Sequence, residues 1–83
     1  MAGTEIESWV LDTCRELGLL VENPDDDFFG TGGNSLTAVR LIAKAEERFG
    51  EDCLSPDDLF ERSAVKEIAA AIQASRARSR VLD

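Results

Sequence analysis

Apolar residues recur at helical spacing in three separate stretches, and no stretch alternates with the period of two that a strand requires. That pattern directs the chain toward helices packed on helices. The first stripe is Ile6, Trp9, Val10, Thr13, Cys14 and Leu17; ahead of it Thr4-x-x-Glu7 reads as a capping box, and Gly18 behind it supplies a C-terminal cap. A second helix is expected from Ser35 to Phe49, ending at Gly50, with Ala38, Leu41, Ile42, Ala45 and Phe49 inward. Ser55-Pro56-Asp57-Asp58 then gives an N-cap, a proline at the first helical position and two first-turn acids, opening a short helix through Leu59 and Phe60. Ser63 is expected to cap a last helix whose apolar face is Val65, Ile68, Ala69 and Ile72. The fold class that follows is all-α: a small four-helix bundle of three longer helices and one short one. Residues 1–75 form its one domain, and Ser75-Arg76-Ala77-Arg78-Ser79-Arg80 opens a basic, frayed tail over residues 76–83.

Composition narrows what such a bundle does. At 83 residues the chain buries only roughly 60% of its unfolded surface, too little to enclose a large active site. No apolar run approaches the roughly 18 residues of a membrane span. Seventeen acids against nine bases give a net charge of -8, a field that repels nucleic acid and anionic lipid. Histidine is absent, which removes Ser-His and Cys-His catalytic pairs and most zinc sites. Cys14 and Cys53 lie far apart with no CxxC spacing, so they read as reduced thiols of a cytoplasmic protein. No side chain stands out as catalytic and none as a metal ligand; a monomer is expected.

Between the first two helices, Leu19 to Asn34 has no sustained period and is punctuated by Pro24 and three glycines. Connections this long are usually either functional or disordered, and Leu19, Leu20, Val21, Phe28 and Phe29 are expected to pin this one to the core. It ends in Gly30-Thr31-Gly32-Gly33-Asn34-Ser35-Leu36, a glycine-rich turn that delivers one hydroxyl, on Ser35, to a helix start. Open N–H groups and the positive end of the helix dipole favour a phosphate there.

Other motifs are set against the same spacing. A P-loop needs lysine where Asn34 stands, a dinucleotide fingerprint needs glycine at Ser35, and a nucleophile elbow needs glycine at Thr37. Asp25-x-Asp27-x-Phe29-Gly30 imitates the start of a calcium loop, but Phe29 replaces an oxygen ligand and Leu36 the bidentate glutamate. The plainest alternative makes Ser35 an ordinary N-cap. Against it, at about 100° per residue Leu36 falls about 160° from the buried stripe, so an apolar residue beside the serine faces outward with Arg40 and Ala43.

The run Asp27-Phe28-Phe29-Gly30-Thr31-Gly32-Gly33-Asn34-Ser35-Leu36 resembles the phosphopantetheine attachment motif of carrier proteins, D-x-F-F-x-x-G-G-x-S-L, particularly that of peptidyl carriers. The resemblance extends through Leu54-Ser55-Pro56-Asp57-Asp58-Leu59-Phe60 to the last helix. It implies an acyl-carrier-protein-like bundle that is not itself an enzyme. Ser35 would receive 4'-phosphopantetheine from coenzyme A through a phosphopantetheinyl transferase. An adenylating enzyme would load the arm, and condensation, tailoring or thioesterase enzymes would receive the cargo. Asn34, Leu36, Arg40 and Ala43 are the expected partner interface, with Leu59 and Phe60 a secondary option against core packing, the reading favoured for those two. Thr31 departs from the leucine that peptidyl carriers commonly place before the glycine pair. Carriers of the fatty-acid type usually read D-S-L with acids along the following helix, whereas here Gly33-Asn34-Ser35-Leu36 precedes Arg40, Lys44 and Arg48. A peptidyl carrier is therefore expected, discrete because the chain starts with methionine and carries no long linker. The alternatives are an acyl carrier of polyketide or fatty-acid type and a helical adaptor without a prosthetic group.

Overall fold

The computed structural model describes the backbone of residues 2–82 and the side chains of residues 5–75. Four helices follow one another: α1 over Ala2–Glu16, α2 over Ser35–Phe49, α3 over Pro56–Glu61 and α4 over Val65–Leu82. The all-α expectation holds, with three longer helices and one of six residues. The expectation of a frayed tail concerns residues 76–83, whose side chains lie outside the described set.

Local signals set the far end of α1 and the start of α3. α1 begins at Ala2 rather than Thr4, so Thr4 lies inside the helix and not at its cap. Its far end is a Schellman turn: Gly18 at φ +94° lets its N–H reach Arg15 O at 3.0 Å and the Leu19 N–H reach Cys14 O at 3.0 Å. α3 opens as its sequence indicates, with Ser55 Oγ accepting from the Asp58 N–H at 3.1 Å and Pro56 at the first position.

The start of α4 differs from expectation. Ser63 does not cap it, because the helix opens at Val65 and the Ser63 hydroxyl donates to Asp27 Oδ1. The first amides of α4 are instead satisfied across the chain: Val65 N–H donates to Asp26 O and Lys66 N–H to Pro24 O, each at 2.9 Å. Phe28 N–H returns the contact to Ser63 O at 2.7 Å, around an isolated antiparallel bridge between Asp27 and Ala64. The loop between α1 and α2 is therefore the cap of α4.

The core joins all four helices and that loop. Ile6, Val10 and Cys14 of α1 meet Ile68, Ala69 and Ile72 of α4, and α1 lies chiefly against α4. Ala38, Leu41 and Ala45 come from α2, Leu59 from α3, and Leu19, Val21 and Phe28 from the loop. At roughly 1.5–3 kcal/mol for each large apolar side chain removed from water, the three loop residues anchor the segment as firmly as a helix face would. Leu20 corrects the expectation for this loop: at 79% exposure it points outward. Ile42 and Phe49 are only partly buried, Phe49 packing edge-on to Trp9 at 4.9 Å between ring centroids.

Candidate functional site around Ser35

Immediately before α2, the loop is shaped by one carboxylate. Asp27 Oδ2 accepts from the Gly30 N–H at 2.7 Å while Oδ1 takes the Ser63 hydroxyl. The Ser63 hydrogen bond, and with it the backbone amides of Gly30 and Phe29, holds the Asp27 carboxyl below its ordinary range against the opposing effect of desolvation. Thr31 then folds back, its Oγ1 donating to Asp27 O at 2.7 Å and to Phe28 O at 3.2 Å. The residue that breaks the resemblance's leucine preference thus closes the turn with its own hydroxyl.

Gly33 has to be glycine for an internal reason. A Cβ there would sit 2.5 Å from Phe28 Cε1 and 2.7 Å from Phe28 O, inside the fully buried ring and its own carbonyl. The close approach that a missing Cβ permits at Gly33 is that of Phe28, from within the chain. Gly32, at φ +114°, supplies the left-handed step between them.

The capping alternative for Ser35 is decided one residue earlier. Asn34, in extended conformation, is the N-cap of α2: its Oδ1 accepts from the Thr37 N–H at 2.9 Å and from Thr37 Oγ1 at 3.0 Å. Ser35 is the first helical residue, it is exposed, and its hydroxyl makes no hydrogen bond among the described residues. The N–H groups of Ser35 and Leu36 have no carbonyl one turn behind them, and no loop acceptor reaches either. A free hydroxyl therefore stands beside two open donors at the positive end of a helix dipole, a setting that fits an ester-linked phosphate.

Around it, the expected interface residues Asn34, Leu36, Arg40 and Ala43 are all exposed on the same end of the molecule or along α2. Leu36 is 63% exposed, and Val39, which sequence reasoning did not single out, is 62% exposed. The 100° step that placed Leu36 outward also places Val39 beside it. Leu59 and Phe60 part company: Leu59 is fully buried, while Phe60 is half-exposed and stacks on Phe29 at 5.4 Å with ring planes 12° apart.

The calcium-like triplet is committed within the chain. Asp25 pairs with Lys66 Nζ at 2.8 Å, Asp26 Oδ2 accepts from the amides of Glu22 and Asn23, and Asp27 shapes the turn. Among the described residues no group of three or more potential metal-ligating side chains forms. Both thiols are free and buried; burial pushes the Cys14 thiol up to about 11 and raises that of Cys53 as well.

Comparison with known proteins bears on the same segment. The phosphopantetheine attachment site family matches residues 9–72. The chain belongs to this family. Its members carry 4'-phosphopantetheine covalently, in agreement with the free hydroxyl and open donors at the start of α2. Among similar proteins, malformin synthetase of Aspergillus brasiliensis is 35% identical over 74 residues, 86% of this chain and 1% of its own length. The nonribosomal peptide synthetase ecdA of Aspergillus rugulosus is 33% identical over 73 residues, 84% of this chain and 1% of that protein. The pyochelin synthetase PchF of Pseudomonas aeruginosa is 37% identical over 79 residues, 90% of this chain and 4% of that protein. The chain thus spans a few per cent or less of these relatives. No solved structure gave a match. No helix among the described residues is long and apolar enough to cross a membrane.

Proposed function

We propose that this chain is a peptidyl carrier, modified on the Ser35 hydroxyl and presented to partner enzymes through the outward face of α2. The observation that carries the reading is the division of labour between neighbours: Asn34 caps the helix, leaving the Ser35 hydroxyl exposed and unpartnered. When attached, 4'-phosphopantetheine supplies a flexible thiol that holds an aminoacyl or related acyl group as a thioester. The chain contributes position. The sequence has no histidine, and among the described residues no side chain hydrogen-bonds the Ser35 hydroxyl; in this reading catalysis comes from the phosphopantetheinyl transferase, and the cargo chemistry from adenylating, condensation, tailoring or thioesterase enzymes. Tethering makes each delivery effectively intramolecular.

The similarity to nonribosomal peptide synthetases supports the peptidyl kind over the polyketide or fatty-acid kind. In the discrete, cytoplasmic form of the reading, enzymes find the carrier by diffusion; an intact mass of the native protein equal to this chain plus its arm supports that form, and a longer polypeptide replaces it.

Incubation with coenzyme A and a broad-specificity phosphopantetheinyl transferase tests the whole. One added prosthetic group, absent in Ser35→Ala, is the expected result. No addition, under conditions that modify a control carrier, would leave a helical adaptor. Offering the modified protein amino acids with candidate adenylating enzymes, against malonyl donors, then tests the subtype: loading only from malonyl donors overturns the peptidyl reading.

A further inference from the structure

The face of α2 beside Ser35 is two-sided. At about 100° per residue, Val39 falls between Ser35 and Leu36 around the helix, while Arg40, Lys44 and Arg48 step away on the opposite flank of Leu36. Leu36 and Val39 are 63% and 62% exposed, Ala43 is exposed between them, and the three cations are exposed too. Arg40 and Lys44 make no ion pair or hydrogen bond among the described residues, and Arg48 lies 5.5 Å over the Phe49 ring. No acid occurs between Ser35 and Ala45; Glu46 and Glu47 begin the acidic part of the helix. This happens in a chain of seventeen acids and nine bases. Acids are plentiful in the molecule, yet among the described residues Arg40 and Lys44 have no carboxylate partner, and the row stands at mutually repulsive i, i+4 spacing.

We propose that this face docks a protein surface in which an apolar socket for Leu36 and Val39 is flanked by carboxylates opposite Arg40 and Lys44. The proposal rests on the reading of Ser35 as the modified residue and adds the charge of the surface that reads it. Its sign is opposite to what the net charge of -8 selects at long range, so the docking charge is local. The apolar flank lies toward the serine and the cationic flank away from it. A partner so built is held in one orientation, with its reacting groups at Ser35, and basic surfaces drawn by the overall field are refused at this face.

The test uses two synthetic amphipathic helical peptides with an identical leucine stripe, one flanked by glutamates and one by lysines, titrated into the isotopically labelled unmodified protein at low salt. Amide shifts at residues 35–44 and roughly tenfold or tighter binding of the glutamate peptide are expected, with the preference lost in Arg40→Glu. Arg62→Glu makes the same change in net charge at the end of α3 and leaves the preference intact. Tighter binding of the lysine peptide at residues 35–44, an equal effect of Arg62→Glu, or no shift at those residues up to millimolar peptide overturns the proposal; circular dichroism checks that each variant remains helical. Because no prosthetic group is involved, failure here with successful modification of Ser35 rejects the docking charge alone. Failure of modification with a positive titration rejects the carrier reading.

Discussion

A single Cβ is enough to disturb the turn that presents Ser35. Gly33→Ala forces the new methyl against the Phe28 ring and carbonyl, and neither can retreat because Phe28 is fully buried. A loss of about 1–3 kcal/mol in urea unfolding is expected, the usual cost of overpacking. Asp27 gives a second test with a definite sign. It binds its proton more weakly in the folded chain than its ordinary value of 3.8, so its contribution is present above that value and lost as pH falls through the lower folded one. The stability difference between wild type and Asp27→Asn should therefore shrink on acidification from pH 5 toward pH 3; a difference constant across that range would place the role of Asp27 in shape alone. The two cysteines predict silence. Buried and shifted upward, Cys14 and Cys53 should react slowly with a thiol reagent at pH 7.5 in the folded unmodified protein and rapidly in urea, which leaves thioester chemistry to an added arm.

Among the elements, α2 separates capping from presentation. Asn34→Ala removes the oxygen that accepts from Thr37 and should cost about 0.5–2 kcal/mol. Ser35→Ala, one residue on, should stay within about 0.5 kcal/mol of wild type, since the hydroxyl holds nothing together. The reverse ranking would return Ser35 to the role of a cap. The bounds of α2 and α3 were legible because their signals are local: Gly50 after the last periodic residue, and Ser55-Pro56 before a first turn of acids. The start of α4 was not. Its amides are satisfied by Pro24 and Asp26 from far upstream, and no periodicity in residues 63–66 announces a carbonyl from another part of the chain. Ser63 looked like a cap for the same reason Ser55 is one, but a carboxylate outside the helix claimed its hydroxyl.

For the molecule as a whole, the consequence is that the longest irregular segment is a structural member. It contributes Leu19, Val21 and Phe28 to the core, caps α4, and ends at the exposed serine, so the start of α2 is braced by both terminal helices. The motif was readable because it is contiguous in sequence. The exposure of Leu20 and the stacking of Phe29 on Phe60 were not, since an aperiodic loop carries no rule for which side faces inward. Charge divides in the same way: composition reports the excess of acid, the i, i+4 spacing of Arg40, Lys44 and Arg48 already marks a cationic stripe, and the structure sets it beside the exposed Leu36 and Val39. Leu36→Asp should accordingly slow loading of the arm while leaving helical circular dichroism unchanged.

The most direct measurement is tandem mass spectrometry of the protein after reaction with coenzyme A and the transferase, locating the added group on a peptide that spans residues 30–40. A single phosphopantetheine on Ser35, in a chain that keeps its unmodified stability, is the predicted result. Modification at another side chain, or a Ser35 that stays bare while a control carrier is converted, would contradict it.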